Sequence, residues 1–348
     1  MKATIAALLV FATVFSASAQ SAKVYYAMDS KVVGPASSIQ SRIVARMVDS
    51  LICGLTGKST VGEAWATLVS PKDKVGIKVA ASGRSVSGTN PEVVDAIAAG
   101  LRQAGVPASN IIVWDRNQED LLAAGYRKDG VNYVLRWVDA GTGYDKNAQI
   151  SAPILGKLIW GDRKFGDKSG QRLADMLSNN EQLSSSSYYA EVLSKEVTKV
   201  INVPSLTDSF MTGINGAITN MTLSNVDNWR RFSKAAAEGD TYLAEIYADP
   251  MVHDKVVLTI LDALILQYAG GPFPGPEFCL PNGSIFASKD PVAIDATAFR
   301  LIEEARKLNK MPSIRLMTTY VEAAAQLGLG QYDESRINTI RVGIEGIR

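Results

Sequence analysis

The alternation of short apolar runs with helical periodicity constrains the fold more than any other feature of the sequence. Residues 23–27, 74–79 and 110–114 are β-rich runs, whereas residues 39–52 and 91–105 repeat apolar side chains at helical spacing. A strand, a helix and a second strand in this order form a βαβ unit, and its strands pair in parallel through a right-handed crossover.

The same alternation returns in the second half of the chain. We predict strands at residues 198–203, 255–261 and 284–287 and helices at residues 215–221 and 314–327, with a further helix that Asp290 caps and Pro291 begins. Strands that are apolar along almost their whole length are typical of sheets buried on both faces. The sequence therefore predicts an α/β fold with a mostly parallel sheet covered by helices on both faces.

The chain divides into three parts by composition. Residues 1–19 carry one cation, a short apolar run and the sequence Ala17-Ser18-Ala19, which is typical of a secretory signal peptide. We expect a single α/β domain over residues 20–348, interrupted by a polar insertion or small subdomain at about residues 141–187. The apolar run is shorter than the roughly 20 residues of a membrane anchor, so we expect a periplasmic or secreted protein with no membrane span after cleavage.

Charge and cysteine content exclude several classes of function. The chain has 36 Lys and Arg residues against 35 Asp and Glu residues, so we expect no nucleic-acid partner. One histidine and two cysteines, Cys53 and Cys279, supply neither a zinc ligand set nor an iron–sulfur ligand set. An exported protein could join these cysteines in a disulfide, although the apolar surroundings of Cys53 favour buried free thiols.

Polar residues end several of the predicted strands. Lys78, Asp115, Asn202 and Asp262 lie at or next to strand ends, and ligands of open α/β sheets bind beyond the carboxyl ends of the strands. Lys78 is thus predicted to reach a rim where a carboxylate or a bound anion pairs with it. A purely structural pair with Asp115 remains an alternative, as do a helix cap for Asp115 and a turn hydrogen bond for Asn202.

The segment of residues 80–90 is a second candidate. It joins a strand to the helix that begins at Pro91, and it contains Arg84, Thr89, Asn90, two glycines and several further hydroxyl groups. A helix N-terminus favours a carboxylate or phosphate group. The spacing matches neither nucleotide-binding glycine motif, and a mobile solvated loop is the alternative interpretation.

Several motifs in order resemble the bacterial family called domain of unknown function 362, over about residues 70–345. They are KVGIKV at 74–79, NPEVVD at 90–95 through AGV at 104–106, VINVP at 200–204, residues 213–220 with NVDN at 225–228, LD at 261–262, GGP at 270–272, KDPVAID at 289–295 and AQLGLG at 325–330. The family has no established common reaction, and the ferredoxin-type cysteine clusters of some members are missing here.

The chain also departs from the family. Members often carry lysine and histidine after the INVP strand and a further lysine before the asparagine of the next helix, where this chain has Thr207, Ser209 and Thr219. These losses indicate a changed ligand or lost chemistry. Asn220 and Asp295 stand in motifs that match, and Asp295 shares a helix face with apolar residues, so we add both to the candidate ligand-binding residues.

Three classes of function follow from these residues. The first is an exported protein that binds a small anionic molecule through Lys78 and Arg84, with Thr89, Asn90, Asn202, Asn220 and Asp295 as further ligand-binding candidates. The second is an enzyme in which Lys78, Asp115 and Asp262 act as acid–base or electrostatic groups on a small carboxylate or phosphate. The third is a structural role, which predicts that the rim residues pair with one another.

We predict no cofactor and no metal ligand set. A divalent cation held by Asp115, Asp262 and Asp295 would suit their carboxylates, but no spacing requires it. The sequence leaves open the identity of the ligand, catalysis, the oligomeric state and the role of the insertion.

Overall fold

The computed structural model describes residues 21–150, 187–229, 232 and 241–344. The predicted signal peptide and most of the predicted insertion lie outside these residues. None of the helices within the described ranges is long and apolar enough to cross a membrane.

Among the described residues, ten strands form one sheet and two form a separate small sheet. The bounds are β1 Ala22–Met28, β2 Val75–Val79, β3 Ile111–Asp115, β4 Val134–Trp137, β5 Tyr144–Gln149, β6 Tyr188–Ala190, β7 Lys199–Val203, β8 Ser205–Ser209, β9 Gly213–Ile214, β10 Val256–Gln267, β11 Cys279–Ser288 and β12 Ile337–Arg341. The small sheet consists of β5, which lies at the start of the predicted insertion, and β6, which directly follows it.

The main sheet runs in the order β12-β1-β11-β10-β7-β2-β3-β4, and β8 extends it by pairing with β10 and β9. Neighbours from β10 through β7, β2 and β3 to β4 are parallel, whereas β11 is antiparallel to both β1 and β10. The prediction of a mostly parallel sheet is therefore confirmed. The carboxyl ends of β2, β3 and β7 lie side by side, as a rim site requires.

Helices cover both faces of this sheet, as predicted. They are α1 Ser41–Thr56, α2 Val61–Ala66, α3 Arg84–Ser87, α4 Pro91–Gln103, α5 Gln118–Ala123, α6 Ala217–Thr222, α7 Tyr242–Ala248, α8 Pro250–His253, α9 Pro291–Leu308 and α10 Thr319–Gln326. The buried side chains of α1, α2 and α4 pack into one apolar core, and those of α6, α7, α9 and α10 pack into another.

Local signals predicted some boundaries and missed others. Asp290 caps α9 by accepting a hydrogen bond of 2.8 Å from the Ala293 N–H, as its position before Pro291 predicted. β10 is longer than predicted and continues through Asp262 to Gln267, with a register shift between Ala263 and Ile265. The last helix begins at Thr319 rather than at residue 314.

Strand β8 was not predicted at all. Its sequence, Ser205-Leu206-Thr207-Asp208-Ser209, carries one apolar side chain, so no apolar run marks it. Its pairing with β10 supplies the hydrogen bonds that make it a strand.

Candidate functional site

Lys78 lies at the centre of the candidate site and is completely buried. Its Nζ donates hydrogen bonds to Asp115 Oδ1 at 2.7 Å, to Asn220 Oδ1 at 3.0 Å and to the Val79 carbonyl oxygen at 2.6 Å. A lysine ammonium has three donor positions. All three are used inside the protein.

Burial lowers the pKa of Lys78, whereas the nearby Asp115 carboxylate raises it and opposes that effect. A buried ammonium is tolerated only with a partner of opposite charge and with its remaining hydrogen bonds satisfied. Asp115 and Asn220 meet both conditions, so the lysine in this apolar strand is explained by neighbours from β3 and α6.

Two asparagines extend the network of Lys78 across the sheet. Asn220 Nδ2 donates to Asn202 Oδ1 at 2.8 Å, and Asn202 Nδ2 donates to the Ala217 carbonyl oxygen at 2.9 Å. Both side chains are buried. Neither the helix cap considered for Asp115 nor the turn hydrogen bond considered for Asn202 is observed. Asn202 binds α6 rather than its own turn, and the Asp115 carboxylate binds Lys78 and Ala81 rather than helix α5.

The segment of residues 80–90, which we call the rim loop, is fixed at both ends. Asp115 Oδ2 accepts a hydrogen bond of 2.7 Å from the Ala81 N–H at its start. Asp262 Oδ2 accepts hydrogen bonds from the Asn90 N–H at 2.7 Å and from Asn90 Nδ2 at 2.9 Å at its end. The two carboxylates thus determine where the rim loop leaves and rejoins the core.

Thr89 ties the rim loop to the sheet. Its hydroxyl donates to the Val203 carbonyl oxygen at 2.7 Å and accepts a hydrogen bond from the Ala80 N–H at 2.9 Å. The Tyr126 hydroxyl donates to the Thr89 carbonyl oxygen at 2.9 Å. The rim loop is therefore held by the side chains of Asp115, Asp262 and Tyr126, by the Val203 carbonyl oxygen of β7, and by Thr89 of its own sequence.

Asp262 is buried, and burial raises its pKa to about 6, against the opposing effect of the hydrogen bonds from Asn90 and Leu264. Its carboxylate lies next to the N-terminus of α4, where an anion was predicted to bind. The protein's own side chain thus occupies the position that helix polarity favours for a negative group.

Arg84 lies on the outer side of the rim loop. Its Nη2 is 2.9 Å from Glu119 Oε1 and its Nε is 3.2 Å from Asp120 Oδ1, both on α5. The arginine side chain is 43% exposed, and its φ of 51° lies in the left-handed region that side chains other than glycine rarely adopt. The structure does not bring Arg84 to Lys78.

Asp295 lies behind α6 and is completely buried. Its two oxygens accept hydrogen bonds from the Ala217 N–H at 2.5 Å and from the Ile218 N–H at 3.0 Å. Burial raises its pKa to about 7, which those two N–H groups partly offset. Asp295 thereby fixes the helix that carries Asn220.

The structure brings the predicted residues together in part. Lys78, Asp115, Asn202 and Asn220 form one connected network. Asn90 pairs with Asp262, while Thr89 binds only backbone groups of Ala80 and Val203. A purely structural role of the rim residues predicts mutual pairing of this kind.

Sequence reasoning missed Arg116, which follows Asp115 directly. Its guanidinium binds Asp139 Oδ2 at 3.0 Å, the Tyr144 hydroxyl at 2.7 Å and the backbone carbonyl oxygens of Leu223 and Val226. The signal in the sequence that could have found Arg116 is its position as a cation directly after a strand end. Its partners come from distant segments, which the sequence could not have identified.

Neither cysteine forms a disulfide. Cys53 is buried, while Cys279 is only partly buried and its thiol lies 3.3 Å from the Gly275 carbonyl oxygen. Within the described ranges, no three His, Cys, Asp or Glu side chains are grouped so that they could hold a metal ion.

Comparisons with known proteins give limited matches. No curated protein matches the chain. A crystal structure of a protein from Thermotoga maritima is similar with a TM-score of 0.38 and 9% sequence identity, over 83% of this chain and 59% of that chain. This chain thus spans less than two thirds of the length of that protein.

The family comparison agrees with the motifs in the sequence. Residues 174–300 match the profile described as domain of unknown function (DUF362). This region includes Asn202, Asn220, Asp262 and Asp295. Over these residues the chain is similar to the domain of unknown function 362 family, which confirms the resemblance for this part of the sequence.

Proposed function

We propose that this is an exported protein that binds a small anionic molecule at the carboxyl-end rim of the sheet, with the rim loop as the contact surface. The observation that carries the proposal is that buried carboxylates fix this loop at both ends, through the Ala81 and Asn90 N–H groups. A loop that is already ordered loses less conformational entropy when it binds a ligand.

Arg84 is the residue that contacts the anion in this proposal. It is partly exposed, and one of its two acidic partners, Glu119, has a side chain that is 82% exposed. Exposed ion pairs contribute little free energy, so an anionic ligand can replace Glu119 at low cost. The left-handed backbone at Arg84 agrees with this role, because strained residues concentrate at binding sites.

Lys78 and Asp262 act as positioning residues rather than contacts. Lys78 is fully buried with three internal acceptors, so a ligand would have to break this network to reach its ammonium. Asn202, Asn220 and Asp295 support the same network from β7, α6 and α9.

A second candidate is an enzyme that uses Lys78, Asp115 and Asp262 in acid–base or electrostatic catalysis. The observation that favours it is a pair of oppositely perturbed groups: burial lowers the pKa of Lys78 and raises the pKa of Asp262 to about 6. Perturbed pKa values concentrate at functional sites. Turnover of a bound carboxylate or phosphate, and its loss in Asp262→Asn, would favour this candidate.

Thermal unfolding in the presence of candidate anions tests the binding proposal. The purified protein, Arg84→Ala and Arg102→Ala are heated with organic acids, sugar phosphates or sulfate. Arg102 is the control because it is also a surface arginine, but its side-chain partner is the uncharged Asn132 rather than the two carboxylates that bind Arg84. A ligand present at about 100 times its Kd stabilises the folded state by about 2.7 kcal/mol.

We expect one class of anion to raise the melting temperature of the wild type and of Arg102→Ala, with a much smaller effect on Arg84→Ala. A shift of equal size in all three proteins would place the anion away from the rim loop. If no anion shifts the wild type, the binding proposal is wrong.

Export is tested separately by sequencing the N-terminus of the protein recovered from a bacterial host. Cleavage after Ala19, which leaves Gln20 as the first residue, is the expected result. An N-terminus at Met1 on protein recovered from the cytoplasm would contradict export.

A further inference from the structure

Three buried hydroxyl groups near the rim loop have no hydrogen-bond partner among the described residues. They are Ser87 Oγ on α3 and Ser205 Oγ and Thr207 Oγ1 on β8. The three residues are 3%, 3% and 1% exposed. Buried hydroxyls without a partner cost free energy, so a site that contains three of them points to a bound species.

The alternation of side chains along β8 places the hydroxyls of Ser205 and Thr207 on the face of this strand that meets α3. Side chains alternate along a strand: Leu206 packs in the core shared with α9, and Asp208 lies 3.6 Å from Arg306 of α9. Ser205 and Thr207 therefore face the opposite side, where α3 packs against both β8 and β10. Ser87 belongs to this α3.

Asp262 lies on the same side of the sheet as these hydroxyls. It is the register partner of Ser205, whereas Thr207 lies further along β8 as the register partner of Gln267. The Asp262 carboxylate binds Asn90 at the start of α4, which packs in the core opposite α9. The hydroxyls and the carboxylate thus lie on the face of the sheet against which α3 of the rim loop packs.

The charge of Asp262 has no cation to balance it among the described residues. The carboxylate accepts three hydrogen bonds, from the Asn90 N–H, from Asn90 Nδ2 and from the Leu264 N–H. An ionised carboxylate has about four lone-pair positions, so one is left. Buried charges in proteins are paired or coordinate metal ions.

We propose that Ser87 Oγ, Ser205 Oγ, Thr207 Oγ1 and the Asp262 carboxylate bind an alkali-metal cation, sodium or potassium, below the rim loop. Its single positive charge balances the single carboxylate, and all four groups are oxygen ligands. Divalent cations such as Ca²⁺ and Mg²⁺ are usually held by several charged oxygens, which this site lacks. The proposal does not depend on anion binding by Arg84.

The experiment compares the melting temperature of the full protein in sodium chloride, potassium chloride and choline chloride at equal ionic strength. Choline is too large for a buried site and serves as the reference cation. The variants are Thr207→Val, which keeps the shape of the side chain and removes the hydroxyl, and Thr207→Ser, which keeps the hydroxyl. Ser50→Ala is the control because Ser50 Oγ is also buried without a partner, but on α1.

We expect sodium or potassium to raise the melting temperature of the wild type, Thr207→Ser and Ser50→Ala by about 3 °C or more over choline, and Thr207→Val to lose most of this shift. Line broadening in sodium NMR that added potassium reverses would support the site directly. Equal melting temperatures of the wild type in all three salts would overturn the proposal, and so would an undiminished shift in Thr207→Val.

Discussion

Two pairs of opposite charge lie at the two ends of one short stretch, and they differ in almost every respect. Lys78 and Asp115 are 2.7 Å apart with side chains that are 0% and 9% exposed. Arg84 and Glu119 are 2.9 Å apart with side chains that are 43% and 82% exposed. The distance between the charged atoms is nearly the same in both pairs.

Surroundings, rather than distance, set the energy of these two pairs. Water and salt screen the attraction between Arg84 and Glu119, so this pair contributes little to stability. Removing Lys78 would leave Asp115 as a buried charge without a cation, which is costly. The inner pair therefore supports the fold, whereas the outer pair can exchange partners.

Replacing Lys78 gives the largest expected effect. Lys78→Met should lower the free energy of unfolding by about 3–5 kcal/mol, because Asp115 then remains buried and unpaired. Denaturant unfolding followed by circular dichroism measures it. Lys78→Met combined with Asp115→Asn should cost clearly less than the sum of the single changes, and strict additivity would show that the two side chains are not coupled.

Asp295 extends the comparison to a buried carboxylate that has no cation beside it in the part of the chain that the structure describes. Its pKa of about 7 in the folded protein lies above the ordinary value of 3.8, so its contribution to stability is fully present below about pH 4 and is lost as the pH rises through 7. From about pH 4 to about pH 8 the wild type should lose stability relative to Asp295→Asn.

The loss should not exceed about 4 kcal/mol, since each unit of pKa difference is worth about 1.4 kcal/mol. Asp120→Asn, which changes a carboxylate that binds the exposed Arg84, is the control and should follow the wild type across this range. Parallel stability curves for the wild type and Asp295→Asn would show that Asp295 does not titrate in this window.

Replacing Asn220 tests the network around Lys78 without removing a charge. Asn220→Ala should lower the free energy of unfolding by about 1–3 kcal/mol, because the Lys78 ammonium loses an acceptor and Asn202 loses a donor. Asn132→Ala is the matched control at an exposed position, where Asn132 accepts one hydrogen bond from Arg102. Equal costs for both changes would contradict the importance of burial.

Replacing Arg84 gives the smallest expected effect. Arg84→Ala should change the free energy of unfolding by less than about 1 kcal/mol, and the difference should disappear in about 1 M salt because the Debye length falls to about 3 Å there. The measurement is denaturant unfolding at low and high salt. A loss of several kcal/mol would show that the outer pair also supports the fold.

The sequence predicted the fold better than it predicted the contacts of the site. The parallel strands β2, β3 and β7 are apolar along their length, so periodicity identified them and the rule for α/β sheets placed Lys78 and Asp115 at one rim. Periodicity did not identify β8 as a strand, because four of its five residues are polar. Its pairing with β10 and the placement of its hydroxyls depend on residues more than fifty positions away.

By itself the sequence determined the class of fold, the strand-end positions of Lys78, Asp115 and Asn202, and the need of Lys78 for a partner, because these follow from local periodicity and from the cost of burying a charge. The strand-end position predicted for Asp262 is wrong, because β10 continues to Gln267. Only the tertiary structure decided that Asp115 and Asn220 are the partners, that Asp262 and Asp295 lie at helix N-termini, and that Arg84 faces outward. The physical reason is that these contacts join segments distant in the chain, and their geometry depends on how the helices pack on the sheet.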